Sequence, residues 1–206
     1  MHAIDYVVLA VWAVFWLGWL AASFSAKAPR TRQPRGIAFR VVLIVVVLGL
    51  LRAGVFRGHA AAVGNPVMQG IGLGLFLGGL AFAVWARVCI GTNWGTPMSQ
   101  KADPELVTTG PYRRVRHPIY SGMVLAMVGS AVAVSLYWLV AVAVLGRYFI
   151  YSATVEERNM SKLFPESYPA YKRSTKMLVP FIFWRQGLVL IVSRLPCARG
   201  PLAMNL

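Results

Sequence analysis

The sequence predicts an all-α, polytopic membrane protein with about five transmembrane helices, and three observations support this prediction. Of the 206 residues, 58% are hydrophobic and only 13% are charged, whereas a soluble domain has about 25% charged residues. The apolar residues form runs long enough to cross a bilayer, which takes about 20 residues. The 21 Lys and Arg residues lie mainly between these runs, as the positive-inside rule expects.

The first 88 residues contain three of the predicted spans, over residues 4–25, 37–56 and 66–87. No charged residue occurs from Tyr6 to Ala26 or from Gly58 to Ala86. The connection between the first two spans is basic, with Lys27, Arg30, Arg32 and Arg35. We therefore expect the N-terminus to lie outside and this connection inside.

Three glycines recur every four residues in the third predicted span, at Gly70, Gly74 and Gly78. Residues four apart lie on one face of a helix, and small residues on a face allow a neighbouring helix to approach closely. The spacing predicts that these glycines form a helix-packing face.

Residues 119–155 hold a single charged side chain, Arg147, and a weak break at the segment VSLYW, residues 134–138. This length predicts a helical hairpin whose second arm continues inward as a helix through Glu156 and Glu157. The chain is then one membrane domain. It has three spans over residues 1–88, a catalytic loop, hairpin and cytosolic segment over residues 89–183, and an interfacial tail over residues 184–206.

The net charge of +15 does not indicate a nucleic-acid partner, because the basic residues flank apolar runs instead of forming a soluble basic face. The partner that this distribution predicts is a lipid bilayer, of the plasma or inner membrane. No metal site is expected, since His2 and His59 are predicted to lie outside, away from His117.

Two polar segments flank the predicted hairpin on its inner side. One is GPYRRVRHPIY, residues 110–120, which contains Arg116 and His117, and the other begins with Glu156 and Glu157. A cationic cluster beside two carboxylates suits a zwitterionic ligand. Each feature also has a simpler interpretation, because the cations can anchor the chain to lipid headgroups and the glutamates can be a solvated pair.

The chain resembles the isoprenylcysteine carboxyl methyltransferases and the related phospholipid methyltransferases in three motifs. These are NWG at residues 93–95, LVTTGPYRRVRHPIYSG at residues 106–122, and EE followed by LFPESYPAYKR and VPFI between residues 156 and 182. The resemblance implies a helical membrane enzyme that uses S-adenosylmethionine, bound in a pocket at the cytosolic face. A small lipophilic acceptor would arrive laterally from the bilayer.

The resemblance also implies which residues line that pocket. Arg116 and His117 would hold the methionine carboxylate, and Glu156 would accept hydrogen bonds from the ribose hydroxyls or the amino group. These three are the expected catalytic residues, while Tyr112 and Tyr120 would face the sulfonium or the adenine. The full expected cofactor-binding set is Glu105, Leu106, Val107, Tyr112, Arg116, His117, Pro118, Ile119, Tyr120, Glu156 and Glu157.

Two positions depart from the pattern of the resembled family. Pro104 stands two residues before LVT, where the family often has His, and Ser152 stands four residues before Glu156, where the family usually has Arg. That Arg meets the carboxylate of the acceptor. We therefore expect this chain to recognise a different acceptor from the prenylcysteine enzymes.

Other functions stay open at this point. A membrane reductase of the sterol-reductase type, which uses NADPH, has a similar C-terminal arrangement, and a phospholipid N-methyltransferase is a further alternative. A non-catalytic scaffold or transporter subunit fits less well, because transporters place their polar residues near the middle of the membrane. Cofactor binding would separate these classes, whereas the oligomeric state has no signal in the sequence.

Overall fold

The computed structural model describes residues 3–23, 29–31, 63–94, 100–101 and 105–178. Two of the predictions lie outside the described residues, namely the second span over residues 37–56 and the interfacial tail over residues 184–206.

Five helices make up most of the described chain, which confirms the all-α prediction. They are α1 (Ala3–Ser23), α2 (Pro66–Ile90), α3 (Pro118–Ala133), α4 (Trp138–Leu163) and α5 (Ser167–Ser174). Single 3₁₀ turns follow α2, at Gly91–Asn93, and precede α3, at Gly110–Arg113. The short strands β1 (Pro29–Thr31) and β2 (Gln100–Lys101) pair antiparallel.

Three of the helices, α1, α2 and α4, are long and apolar enough to cross a membrane. The predicted first and third spans correspond to α1 and α2. The pairing of β1 with β2 joins the connection after α1 to the one after α2. The expected sidedness of these connections stays a prediction.

The predicted hairpin is present as α3 and α4, with its break at residues 134–137. Pro118 is the first residue of α3, a position where proline is favoured because its missing N–H has no helical partner. At 1.5 Å per residue, the 16 residues of α3 span about 24 Å, which is less than the ~30 Å of a bilayer core. By contrast, α4 continues past Glu156 and Glu157 to Leu163, as predicted.

The closest helix packing is between α2 and α3, and it does not use the glycines that we expected. A Cβ atom at Gly70, Gly74 or Gly78 would meet nothing within 4 Å among the described residues, so no described helix packs on the predicted face. A different set of glycines forms the contact instead: Gly72 and Gly79 of α2 with Gly122 and Gly129 of α3.

These contacting glycines are spaced seven residues apart on both helices. A Cβ at Gly79 would lie 2.4 Å from the backbone nitrogen of Ala126, and a Cβ at Gly129 would lie 2.2 Å from that of Phe76. Neither position tolerates a side chain without moving the backbones apart. The close approach of α2 and α3 thus depends on this seven-residue glycine spacing. The same packing fixes where α3 begins relative to α2.

The other two long helices pack on this pair through aromatic side chains. On α1, the Trp12 ring lies 5.5 Å from that of Phe76, and its indole N–H donates to the Ser130 hydroxyl at 3.1 Å. On α4, the Phe149 ring stacks on Tyr120 at 4.9 Å. The stacking of Phe149 on Tyr120 brings the polar end of α4 against the start of α3.

Candidate functional site

The loop before α3 is held in place by the chain that follows α5. Val115 forms a parallel bridge with Lys176. The Arg116 amide donates to the Lys176 carbonyl at 2.8 Å, and the His117 amide donates to the Met177 carbonyl at 3.1 Å. The backbone of these two predicted site residues is therefore fixed by a distant segment, directly beside the end of α4.

The Arg116 guanidinium points into the protein. Its Nε lies 2.7 Å from Glu157 Oε1, and the two side chains are only 8% and 4% exposed. One terminal nitrogen also donates to the carbonyls of Thr175 and Lys172. We call these contacts the Arg116–Glu157 brace, since they tie α4 to the segment after α5.

Lys172 is a second cation that pairs with Glu157. Its Nζ lies 2.8 Å from Glu157 Oε2, so each oxygen of the Glu157 carboxylate faces a cation. The Lys172 side chain is 51% exposed, and its ion pair is correspondingly weaker than the buried one with Arg116.

Glu156 lies on a different side of α4, toward α3. The Tyr120 hydroxyl donates to Glu156 Oε1 at 2.6 Å, and His117 Nδ1 lies 3.5 Å from Glu156 Oε2. The His117 and Tyr120 rings are stacked, with centroids 5.6 Å apart. His117, Tyr120 and Glu156, which we call the inner cluster, are thus a carboxylate with two aromatic partners at the end of the hairpin.

His117 lies between the two glutamates and carries a buried ring nitrogen. Its Nε2 is 3.6 Å from Glu157 Oε1 and makes no hydrogen bond with the described residues. Burial alone lowers the pKa of His117, but the nearby carboxylates of Glu156 and Glu157 outweigh burial and raise the pKa above its ordinary value. The protonated imidazolium is therefore favoured at this position.

Other predicted site residues lie in the loop and the 3₁₀ turn before α3. Tyr112 is buried, and its carbonyl accepts a hydrogen bond from the Tyr171 hydroxyl at 2.7 Å. Burial raises the pKa of the Tyr112 phenol, so the hydroxyl stays neutral. Glu105 is exposed and accepts from Asn93 at 3.0 Å, while Val107 packs on the apolar core.

The remaining members of the predicted set are neighbours of these residues. Pro118 and Ile119 are buried in the first turn of α3, and Leu106 is half-buried in the preceding loop. Arg113 and Arg114, for which lipid anchoring was the simpler interpretation, are both exposed. Arg113 and Arg114 thus point outward, whereas Arg116 points inward.

Sequence reasoning did not identify three residues that organise this site: Tyr171, Lys172 and Thr175. Tyr171 and Lys172 are part of the segment YPAYKR, so the motif itself was a signal for them. Thr175 acts mainly through its backbone carbonyl, for which the sequence carries no signal.

The residues at the inner cluster fit the chemistry of S-adenosylmethionine. That molecule carries a sulfonium, an amino group and a carboxylate. The Glu156 carboxylate suits the cationic groups. The buried Nε2 of a protonated His117 supplies a donor for an anion. Among the described residues, no group of three or more His, Cys, Asp and Glu side chains is placed to hold a metal ion.

The three long apolar helices define an integral membrane protein, and the inner cluster lies where α3 begins. Residues 67–167, which include the whole inner cluster, match the sequence model of the phospholipid methyltransferase family. This region, just under half of the chain, thus carries the sequence pattern of the phospholipid methyltransferase family, which includes isoprenylcysteine carboxyl methyltransferase-like proteins.

Two relatives show similarity over parts of the chain. Methanethiol S-methyltransferase 1 from Bradyrhizobium diazoefficiens is 35% identical over 85 residues, which is 41% of this chain and 28% of that protein. The nickel-cobalt-cadmium resistance protein NccN from Alcaligenes xylosoxydans xylosoxydans is 31% identical over 153 residues, 73% of this chain. The chain spans 28% and 66% of the lengths of these two relatives.

Proposed function

We infer that the protein is an S-adenosylmethionine-dependent methyltransferase that acts on a small, lipophilic, uncharged acceptor at the inner membrane face. The main observation behind this proposal is the inner cluster at the end of the hairpin, within the region that matches the methyltransferase family. A thiol is the acceptor that we favour, because one relative carries the name methanethiol S-methyltransferase.

The cluster supplies binding and orientation, while bound S-adenosylmethionine supplies an already activated methyl group. Transfer of such a group needs alignment and exclusion of water more than a strong acid or base. In our proposal Glu156 and His117 bind the charged ends of the donor.

Arg116 takes a supporting role in this proposal. Its guanidinium already bonds to Glu157 and to the Thr175 carbonyl, so it orients the adjacent His117 through the backbone. The direct contact of Arg116 with the methionine carboxylate, which the family resemblance implies, stays a prediction.

Cofactor binding is the decisive test. We would titrate the purified protein in detergent with S-adenosylhomocysteine and, separately, with NADPH, and follow the heat of binding. The proposal expects binding of S-adenosylhomocysteine and none of NADPH. Binding of NADPH alone would favour the membrane reductase instead.

The acceptor class needs a second assay. Vesicles containing the protein and methyl-labelled S-adenosylmethionine are offered a short alkanethiol, a farnesylated cysteine analogue or a phosphatidylethanolamine. We expect label transfer mainly to the thiol. Efficient transfer to phosphatidylethanolamine would instead identify a phospholipid N-methyltransferase.

A further inference from the structure

Four exposed cations lie on the two segments whose pairing holds the loop before α3. Arg113 and Arg114 belong to the 3₁₀ turn and the loop after it, while Arg173 and Lys176 belong to the end of α5 and the segment that follows. The Lys176 amide donates to the Arg114 carbonyl at 3.0 Å, so cations that are far apart in the sequence become neighbours. We call these four residues the basic rim.

The basic rim has no counter-charge in the part of the chain that the structure describes. None of its four side chains forms an ion pair with a described residue. Glu157 is turned inward, and its two carboxylate oxygens already face Arg116 and Lys172. Like charges on adjacent segments repel each other. The rim therefore weakens the pairing of the two segments unless an anion from outside the chain offsets the repulsion.

This pairing positions a residue of the inner cluster. The Arg116 and His117 amides donate to the Lys176 and Met177 carbonyls at 2.8 and 3.1 Å, and His117 Nδ1 lies 3.5 Å from Glu156 Oε2. A firmer pairing of the two segments thus holds His117 more firmly in the cluster.

The rim lies where the chain passes from polar to apolar surroundings. Lys176 is followed by Met177 and Leu178, which pack against the apolar core, and the Ser121 hydroxyl in the first turn of α3 donates to the Leu178 carbonyl. Cations at the end of an apolar helix lie at the depth of the lipid headgroups. An anionic headgroup is therefore an anion that the rim can reach.

Membrane attachment alone does not explain the rim, because three long apolar helices already hold the protein in a membrane. A phosphodiester can accept charge-assisted hydrogen bonds from an arginine and a lysine together. One headgroup phosphate between Arg114 and Lys176 would thus offset the repulsion at the point where the two segments pair.

We propose that the basic rim binds anionic phospholipid headgroups and that this binding strengthens cofactor binding at the inner cluster; the coupling rests on the proposed methyltransferase function. The headgroup offsets the repulsion between the paired segments, and the pairing then positions His117. Because coupling between two binding sites is reciprocal, bound cofactor also strengthens lipid binding. The lipid composition of the membrane thereby regulates the enzyme.

The test compares the wild type with two double variants that lose the same charge. Arg114→Gln with Lys176→Gln changes the rim, whereas Arg158→Gln with Lys162→Gln changes two exposed cations of α4 that are not part of it. Each protein is placed in bilayer discs of phosphatidylcholine alone or of an equal mixture with phosphatidylglycerol. We would measure the Kd of S-adenosylhomocysteine by calorimetry, and the melting temperature without it. This ligand has no net charge, so a negative surface does not concentrate it.

We expect phosphatidylglycerol to lower the Kd of the wild type and of the α4 variant by about three- to tenfold, and to raise the melting temperature of both. The rim variant should bind at least as tightly as the wild type in phosphatidylcholine, because its repulsion is already reduced, and should not respond to phosphatidylglycerol. High salt should remove the response of the wild type. Inorganic phosphate added to phosphatidylcholine discs should not reproduce it.

Three results would overturn the proposal. Equal Kd values for the wild type in the two bilayers would show that lipid and cofactor binding are not coupled. An equal response of the rim variant and the α4 variant would indicate a general effect of surface charge. A response to inorganic phosphate alone would make the rim a site for free anions. Failure of the proposed function looks different, since the wild type would then bind no S-adenosylhomocysteine in either bilayer, while its melting temperature would still respond to phosphatidylglycerol.

Discussion

The two adjacent glutamates at the end of α4 lie in different surroundings. Glu157 is 4% exposed and is held by Arg116 and Lys172. Glu156 is 26% exposed and faces Tyr120 and His117. Neighbouring residues on an α-helix point about 100° apart, so one carboxylate faces the Arg116–Glu157 brace while the other faces the inner cluster. The two adjacent glutamates at the end of α4 therefore make two separate sets of contacts.

The largest effect that this comparison predicts is on stability. Glu157→Ala leaves the buried guanidinium of Arg116 without its carboxylate, and breaking such a pair costs about 3–5 kcal/mol. We expect a large fall in the melting temperature of this variant in detergent. Glu156→Ala should change the melting temperature much less, and should instead weaken binding of S-adenosylhomocysteine about tenfold or more.

Glu166→Ala is the control for this pair, because Glu166 is an exposed glutamate just before α5. It should change neither the melting temperature nor cofactor binding. If Glu156→Ala were the more destabilising of the two variants, the assignment of the glutamates to brace and cluster would be reversed.

A smaller predicted effect concerns cofactor affinity. It differs between the cations of residues 110–120 that point inward and those that point outward. His117→Ala removes a member of the inner cluster and should lower the affinity for S-adenosylhomocysteine by tenfold or more, about 1.4 kcal/mol. Arg113→Ala should change it little, since Arg113 is exposed. Arg116→Ala should also lower affinity by tenfold or more, and it should lower the melting temperature more than either of the other two variants.

Calorimetric titration of the three variants checks this ranking, with a thermal melt of each to establish that it is folded. Greater damage from Arg113→Ala than from the other two variants would contradict the placement of the site. Normal binding by both the Arg116 and the His117 variants would contradict it equally.

Some of this architecture could be predicted from the sequence because its signal is local. Long apolar runs predicted α1, α2 and the hairpin, which was expected to begin at residue 119 and begins at Pro118. The packing of α2 could not be predicted in the same way. Spacing alone placed Gly70 and Gly74 on one helix face, but which face meets a neighbour depends on the matching glycines of α3.

The candidate site also combines residues that one short segment of sequence reveals with contacts between segments far apart in the sequence. The motif around His117 and the following glutamates was visible as a pattern of residues. The bridge between Val115 and Lys176 was not, because pairing between two short irregular segments leaves no periodicity in either. The pairing of Arg116 with Glu157 instead of Glu156 depends on how α4 is rotated, and contacts distant in sequence determine that rotation.

The smallest predicted effect is a pH dependence of stability that arises from His117. The groups facing this imidazole are Glu156 and Glu157 from α4 and Tyr120 from α3. Burial lowers the pKa of His117, but the carboxylates of the two glutamates outweigh burial and raise the pKa above its ordinary value of about 6.5. A pKa that is higher in the folded than in the unfolded state stabilises the fold fully below the unfolded value. This contribution is lost as the pH rises through the folded value. The melting temperature of the wild type should therefore fall as the pH is raised from about 6 through the pKa of the folded state, and that of His117→Gln should fall less. Equal slopes for the two proteins across this range would show that His117 is not the group responsible.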